Sequence, residues 1–210
     1  MTRARRSLTR TKVLETALAV VDAEGLAALS MRRLGKELGV EAMSLYHHVR
    51  DKDDLVNGVN LLVLGRLDVD SDGMTWHEAI EAFALRLYEA YLPRPDLARA
   101  LSWTTPSDGD VLVTMERVLA RLAESGLPPE VQVSAFRGVI SMCVGFVVVH
   151  TEPQPTSDSV RWTGWDDASP GLANFPSLTA LAPTFDRVPV TADVRFMVRA
   201  VIAALVQQAS

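Results

Sequence analysis

The chain has 210 residues, of which 48% are apolar and 22% are charged. This is close to the average of soluble globular proteins, so the composition excludes disordered and fibrous classes and the length predicts one or two domains. A single cysteine, Cys143, excludes a disulfide framework and a cysteine-rich zinc site. The chain holds 4 histidines, too few to favour a multi-histidine centre, so we predict no metal and no cofactor.

The net charge of -5 is divided unevenly along the chain. Residues 1–66 contain 11 lysines and arginines against 8 acidic residues, whereas residues 67–210 contain 10 against 18. This asymmetry favours a basic N-terminal module that meets a polyanion, attached to an acidic body. On charge alone, a solvated basic tail fits equally well.

The sequence lacks the patterns of a secretory signal and of a membrane span. No run of 7–15 apolar residues follows the basic N-terminus. The longest uncharged apolar stretch, Gly138–Val149, has 12 residues, whereas a membrane span needs ~20. We therefore expect a cytoplasmic protein with no membrane partner.

Apolar residues at helical spacing predict four helices in the N-terminal third. The first spans Thr11–Ala23. Ser30 is the expected N-cap of a short helix that ends at Gly39, and a second short helix follows over Ala42–Val49. Asp51 then caps a longer helix, whose apolar positions include Leu55, Val59 and Leu62.

Longer helices are predicted beyond Gly73. One begins at Trp76 and is stopped by Pro93 and Pro95, and another runs from Val111 to Leu122. Residues 131–150 and about 192–207 form two more, and both are apolar on most faces. Because no segment alternates with period two, we predict an all-α fold.

Residues 152–190 hold 6 of the 11 prolines. We expect a long loop there with at most short helical turns. Trp162 and Trp165 would be costly to leave in water, which favours a loop that folds over a pocket entrance or over the other protomer. Simple disorder is the alternative, and limited proteolysis that cut the loop equally fast with and without ligand would count against the lid.

Residues 26–52 have the pattern of a helix-turn-helix, two short helices joined by a turn at Gly39. Small residues at the start of the second helix would let it enter a major groove, while nearby hydroxyls and cations can hold phosphates. The residues expected to lock the two helices at a steep angle are Leu34, Leu38, Val40, Leu45 and Val49.

This segment resembles the TetR family of one-component transcriptional repressors. The resemblance runs without a gap from the first helix to Gly58 and is most specific at LGVEAMSLYHHVRDKDDL, residues 38–55. The rest of the chain is similar in plan, with the helix led by Trp76, the ESGLPPE turn and the stretch VISMCVGFVVV. Its best match is the tetracycline-repressor-like C-terminal subgroup.

The resemblance implies an N-terminal three-helix helix-turn-helix domain, 1–58, and a helical ligand-binding and dimerisation domain, 59–210. It implies a ligand-responsive regulator that is not an enzyme and acts as a repressor. As a homodimer it would bind a palindromic operator in double-stranded DNA. A small apolar effector, whose identity the sequence leaves open, would release it by moving the helix that starts at Lys52.

The resemblance also assigns seven DNA contacts. Base contacts are assigned to Arg32, Ala42 and Met43, and phosphate contacts to Ser44, Tyr46, His48 and Lys52. Ala42 and Met43 replace the Gln-Pro of tetracycline-binding members, so a different operator is expected; they can contact thymine methyls but cannot make a bidentate adenine contact. Tyr46 as a cap on the small core and Lys52 as a plain surface residue stay open as alternatives.

We predict that adaptable apolar side chains line the ligand cavity of the body. These are Leu62, Phe83, Leu87, Trp103, Met115, Leu119, Met142 and Phe146. Each could equally be an ordinary core residue. Asp68 stands where tetracycline-binding members have a metal-chelating His, so tetracycline is not the expected ligand.

Two helices that are apolar on most faces cannot both be buried by one small helical layer. We therefore predict that residues 131–150 and 192–207 of two protomers form a four-helix interface. This is also the arrangement that the family resemblance implies.

Two other function classes stay open at this stage. An enzyme is disfavoured, because Cys143 and His150 share a helix face but lie ~10.5 Å apart, beyond hydrogen-bond reach. A DNA-binding scaffold regulated by a protein partner is harder to separate from a ligand sensor, and activator rather than repressor action also stays open.

Overall fold

The computed structural model describes residues 8–101, 109–151, 174–185 and 187–209. Within these ranges the chain forms ten α-helices and no strand, which confirms the all-α prediction. The helices are α1 (Arg10–Glu24), α2 (Met31–Leu38), α3 (Ala42–Leu45), α4 (Lys52–Gly65), α5 (Trp76–Tyr91), α6 (Pro95–Arg99), α7 (Gly109–Ala123), α8 (Pro129–His150), α9 (Pro176–Phe185) and α10 (Val190–Ala209).

Side-chain caps fix where the N-terminal helices begin. Ser30 accepts a hydrogen bond from the Arg33 backbone N–H at 3.1 Å, and Asp51 accepts one from Asp54 at 2.7 Å. These contacts satisfy N–H groups that have no partner inside a helix, so they set the starts of α2 and α4. Both predicted caps are confirmed.

The structure differs from the predicted elements in three places. The regular part of α3 ends at Leu45, and the chain continues to His48 as turns with hydrogen bonds three residues apart. Helix α6 was not predicted, since its proline was interpreted as a stop; Pro95 instead occupies the first turn, where a missing N–H costs no bond. The same holds for Pro176, which begins the ten-residue α9 inside the predicted loop. Trp162 and Trp165 lie outside the described residues.

Helices α1 to α4 form the N-terminal unit around Leu34, Leu45 and Val49, which are buried. Gly35 allows α2 and α3 to approach closely, since a Cβ there would lie 2.9 Å from the Val40 carbonyl oxygen. Gly39 supplies the left-handed turn between the two helices, with φ 67°.

The body is arranged around α5, which packs against α7, α8 and α10. Helix α8 has 22 residues and is long and apolar enough to cross a membrane, which the 12-residue stretch 138–149 did not indicate. It packs instead against α5, α6, α7 and α10 as a helix of the bundle. One face of α8 carries exposed small residues at Ser134, Gly138, Ser141 and Gly145.

Candidate DNA interface and ligand cavity

The residues predicted to contact bases lie on the surface of the helix-turn-helix. Met43 is 71% exposed at the head of α3, and Ala42 beside it is half-buried. Arg32 is exposed on α2, and within the described residues no hydrogen bond or ion pair holds it. Its neighbour Arg33 instead donates to Glu24 and Glu37, and these carboxylates raise its pKa. Arg32 is therefore the arginine of this pair that is available to DNA.

The residues predicted to contact phosphates follow α3 and lead into α4. Tyr46 is 46% exposed, which does not suit the alternative in which it caps the core. Ser44 and His48 are half-buried, and Lys52 is exposed in the first turn of α4. The four side chains occupy one continuous segment of the chain, from α3 to the start of α4.

Asp54 holds this segment against α1. Its carboxylate accepts a hydrogen bond from Arg10 Nη2 at 2.9 Å and one from the Arg50 backbone N–H at 2.8 Å. Arg10 also donates to the His48 carbonyl at 2.6 Å. The Arg10 guanidinium is the main reason that the pKa of Asp54 is lowered. The contacts join α1, the segment after α3 and the start of α4.

The lowered pKa of Asp54 predicts a loss of stability in acid. Because the pKa is lower in the folded state than the ordinary 3.8, the contribution is fully present above pH 3.8 and is lost as the pH falls through the folded value. We expect Asp54→Asn to cost about 1–2 kcal/mol at pH 7 and progressively less in acid. Urea unfolding between pH 7 and pH 3 measures this.

The matched control is Asp53→Asn, which removes an adjacent exposed carboxylate of the same helix turn. It should change stability by less than about 0.5 kcal/mol. A pH dependence that is equal in the two variants would contradict the role of Asp54.

A cavity of about 180 Å³ lies in the body between α4, α5, α7 and α8. Its described lining carries no charged side chain. The lining residues are Asn57, Asn60, Leu61, Leu64, Leu67, Phe83, Leu101, Val111, Thr114, Met115, Phe136, Ile140, Ser141 and Val144.

The cavity brings together two of the eight predicted ligand contacts, Phe83 and Met115. Leu87 is fully buried, and Leu62, Leu119, Met142 and Phe146 are half-buried residues packed against the hydrophobic core. None of these five is among the residues that line the cavity. Trp103 lies outside the described residues. The prediction chose residues by chemical type, whereas the orientation of each helix decides which of them face the cavity.

Sequence reasoning placed α4 at the cavity through Leu62, but it chose the wrong face of that helix. Asn57, Asn60, Leu61 and Leu64 follow the spacing of one helix face and line the cavity. The opposite face carries buried residues such as Leu55 and Val59, on a helix that also packs against α1. The signal was present as two asparagines three residues apart in an otherwise apolar helix.

Asn60 is one of two buried polar residues of the described cavity wall, the other being Thr114. The Tyr91 hydroxyl donates to Asn60 Oδ1 at 2.9 Å, and both residues are only 1% exposed. Burial raises the pKa of Tyr91, so its hydroxyl stays protonated and able to donate. Among the described residues, Asn60 Nδ2 has no hydrogen-bond partner.

Cys143 and His150 do not form a catalytic pair. The Cys143 thiol donates to the Ala84 carbonyl at 3.4 Å, and burial raises its pKa to about 12, so it stays neutral. His150 is exposed and its Nδ1 contacts the Phe146 carbonyl oxygen at 3.0 Å. A neutral buried thiol without a base is chemically inert.

A helix-turn-helix joined through α4 to a helical body with an apolar cavity defines a DNA-binding regulator that carries its own ligand-binding domain. Residues 13–59 match the family described as bacterial regulatory proteins, tetR family. Residues 70–198 match the tetracyclin repressor-like, C-terminal domain. The chain belongs to the TetR family, as the sequence predicted.

The relatives include the HTH-type transcriptional repressor DrrR1 of Streptomyces coeruleorubidus. It is 34% identical over 199 residues, which is 89% of this chain and 68% of that protein. The TetR family protein ActR of Streptomyces coelicolor, solved in complex with (S)-DNPA, is 28% identical with a TM-score of 0.80; the alignment covers 97% of this chain and 100% of that one. The structure of ActR in complex with actinorhodin is 27% identical in sequence, with a TM-score of 0.78. That alignment covers 97% of this chain and 99% of the ActR chain.

The chain is therefore a ligand-responsive, DNA-binding transcriptional regulator, and the prediction that it is not an enzyme is confirmed. The domain boundary at residue 58 and the individual DNA and ligand contacts stay predictions.

Proposed function

We propose that this protein is a cytoplasmic repressor that binds a palindromic operator as a homodimer and is released by a small apolar molecule. The observation that carries the proposal is the course of α4. This helix begins at Lys52, beside the DNA-contacting segment, and continues to Asn60 and Leu64 in the cavity wall. A ligand that contacts the second part of α4 can change the position of the first.

Exposed apolar surface supports the homodimer. On α10, Phe196 is 70% exposed and Met197 and Val206 are each 40% exposed. On α8, added Cβ atoms at Gly138 and Gly145 would meet nothing within 4 Å, so a partner helix can approach closely. We propose that α8 and α10 of each protomer form a four-helix interface. The two recognition segments would then face half-sites about 34–36 Å apart.

The ligand proposal is supported by the cavity and by its uncharged lining. An engineered apolar cavity of ~150 Å³ holds benzene, so a cavity of about 180 Å³ accepts a one-ring ligand with a small substituent. The presence of an apolar cavity favours a small-molecule effector over regulation by a protein partner. Release requires that the effector bind more tightly to the conformation in which the position of α4 prevents the two recognition segments from contacting both half-sites of the operator.

The test of the proposed function begins with selection of bound duplexes from a random double-stranded DNA pool at near-physiological salt. We expect a two-fold symmetric motif. The motif then serves as the probe on which small apolar molecules are screened for release. If the folded protein enriches no symmetric sequence, the proposed operator recognition is wrong.

A pair of alanine variants separates base reading from phosphate contact. Arg32→Ala should cost ~1–3 kcal/mol on the selected operator and relax the preference at one position. Lys52→Ala should weaken binding to all duplexes about equally and reduce the slope of log affinity against log salt by ~1. Fluorescence anisotropy on the operator and on single-position variants of it measures both effects. Identical profiles for the two variants would contradict the division of roles.

A further inference from the structure

We infer that Asn60 is a specificity-determining residue of the cavity, and that its free amide N–H selects neutral ligands that carry a carbonyl oxygen. The inference rests on the proposed ligand-binding function and names the chemistry of the effector. It begins from Asn60, a residue of the cavity wall whose Nδ2 donor is buried and has no partner among the described residues.

The orientation of the Asn60 amide follows from its contact with Tyr91. If the amide were turned over, Nδ2 would donate to the Tyr91 hydroxyl oxygen. The hydroxyl proton of Tyr91 and Asn60 Oδ1 would then both lack partners in a buried site. In the observed orientation the hydroxyl proton and Oδ1 satisfy each other at 2.9 Å, and only the Nδ2 hydrogens remain. Tyr91 thus fixes the amide with its donor side free.

A free buried donor favours a ligand that brings an acceptor. Leaving a buried N–H unpaired is costly, and an acceptor oxygen on the ligand removes that cost at the moment of binding. A ligand of the same shape without the oxygen leaves the N–H unpaired. The hydrogen bond therefore raises the affinity of the ligand with the oxygen relative to that of the ligand without it. This difference in affinity does not depend on the total apolar area that the two ligands bury.

The uncharged lining restricts the acceptor to a neutral one. No described residue of the cavity wall carries a cation, so a carboxylate would lose its hydration without gaining a counterion. A ketone, quinone or lactone oxygen loses much less hydration free energy, and a hydrogen bond from Asn60 Nδ2 replaces the one lost to water. The site therefore fits an apolar ring system with a carbonyl at its edge.

The position of Asn60 also connects this preference to DNA binding. Asn60 lies eight residues, slightly more than two helical turns, after Lys52 on α4. A carbonyl that binds Nδ2 therefore contacts the same helix whose first turn holds the DNA-contacting segment. The helix that recognises the ligand oxygen is therefore the same helix, α4, whose displacement would release the DNA.

The test compares acetophenone with ethylbenzene, two one-ring compounds of nearly equal shape that differ in the carbonyl. NMR titration of the full-length protein gives the Kd of each. We expect acetophenone to bind about fivefold more tightly than ethylbenzene. Benzoate, which has similar size and a charge, should bind at least tenfold more weakly than acetophenone.

The variants are chosen so that the fold survives. The double variant Asn60→Leu/Tyr91→Phe removes both hydrogen-bonding groups, a change that leaves stability nearly unaltered or raised. We expect it to lose the preference for acetophenone and to bind ethylbenzene at least as tightly, because the carbonyl oxygen then loses its hydration without gaining a hydrogen bond. Tyr91→Phe alone keeps the amide but removes the hydroxyl that fixes its orientation, so it should reduce the preference for the ketone without abolishing it. Thr114→Val removes a buried hydroxyl of the same wall and tests whether that hydroxyl, instead of Asn60, is the donor.

The outcomes separate this inference from the proposed function. If both compounds bind to the wild type with equal Kd, or if the double variant keeps the preference, Asn60 does not select the carbonyl although the cavity binds ligands. A preference that disappears in Thr114→Val and persists in the double variant would assign the donor to Thr114. If neither compound binds, the cavity is not a ligand site, and the proposed sensing function is wrong with it.

Discussion

Replacing Gly145 by arginine is expected to leave each protomer folded and to prevent it from pairing. In the protomer, a Cβ at Gly145 meets nothing within 4 Å, and glycine is a poor helix former, so arginine should maintain or raise the stability of α8 itself. In the proposed interface, the same side chain would place a charge against an apolar partner helix. We expect the dissociation constant of the dimer to rise by at least about 100-fold.

Loss of the dimer should reduce operator affinity as well. Two linked recognition segments bind a symmetric operator with an advantage of about 100-fold or more over one, so the monomer should lose most of its specific binding. Sedimentation velocity gives the oligomeric state and fluorescence anisotropy the operator affinity. Ala120→Arg, on the exposed surface of α7, introduces the same side chain outside the proposed interface and should change neither. A Gly145→Arg protein that remains dimeric would contradict the four-helix interface.

The helix-turn-helix was predicted from sequence because its signals are local. Ser30 caps α2 and Gly39 ends it, so their positions in the sequence determine the turn. Asp51 likewise sets the start of α4. Each of these residues acts on backbone groups only a few positions away. Their spacing along the chain therefore determines where the helices begin and end.

The cavity could not be predicted in the same way, because it depends on contacts between distant helices. Leu87 and Phe83 lie one turn apart on α5, yet Phe83 lines the cavity and Leu87 is buried in the core. The difference arises from the neighbours of α5. Phe83 stacks on Phe136 of α8, with ring centroids 5.4 Å apart, and no local pattern indicates that pairing. Apolar periodicity identifies a buried face and does not say which part of it borders empty space.

Proline was the other source of error. Pro95 and Pro176 were interpreted as helix breakers, whereas both begin helices. The fixed φ angle of proline suits the first turn of a helix as well as it suits a loop. Whether a given proline ends one element or begins the next depends on the packing of the residues that follow, such as the buried Leu97 and Ala98 after Pro95.

Replacing Gly35 by valine is expected to weaken operator binding strongly while the body remains folded. A Cβ at this position would lie 2.9 Å from the Val40 carbonyl oxygen and 3.2 Å from the Ala42 backbone nitrogen. Both are main-chain atoms of the turn and of the head of α3, so they cannot move as a flexible side chain would. The added carbons must push α3 away from α2, at a cost of about 1–3 kcal/mol in the N-terminal unit.

The displacement of α3 matters because the predicted base contacts, Ala42 and Met43, begin this helix. Their contacts with thymine methyls bury apolar surface at about 0.8 kcal/mol per methyl group, so losing both contacts in the two half-sites reduces operator affinity by at least about 30-fold. Ala19→Val, on the exposed face of α1, is the matched control and should leave binding unchanged. Sedimentation velocity should show that both variants remain dimers, since α8 and α10 lie far along the chain from the turn. A Gly35→Val protein that binds the operator normally would mean that the contact between α2 and α3 does not set the position of the recognition helix.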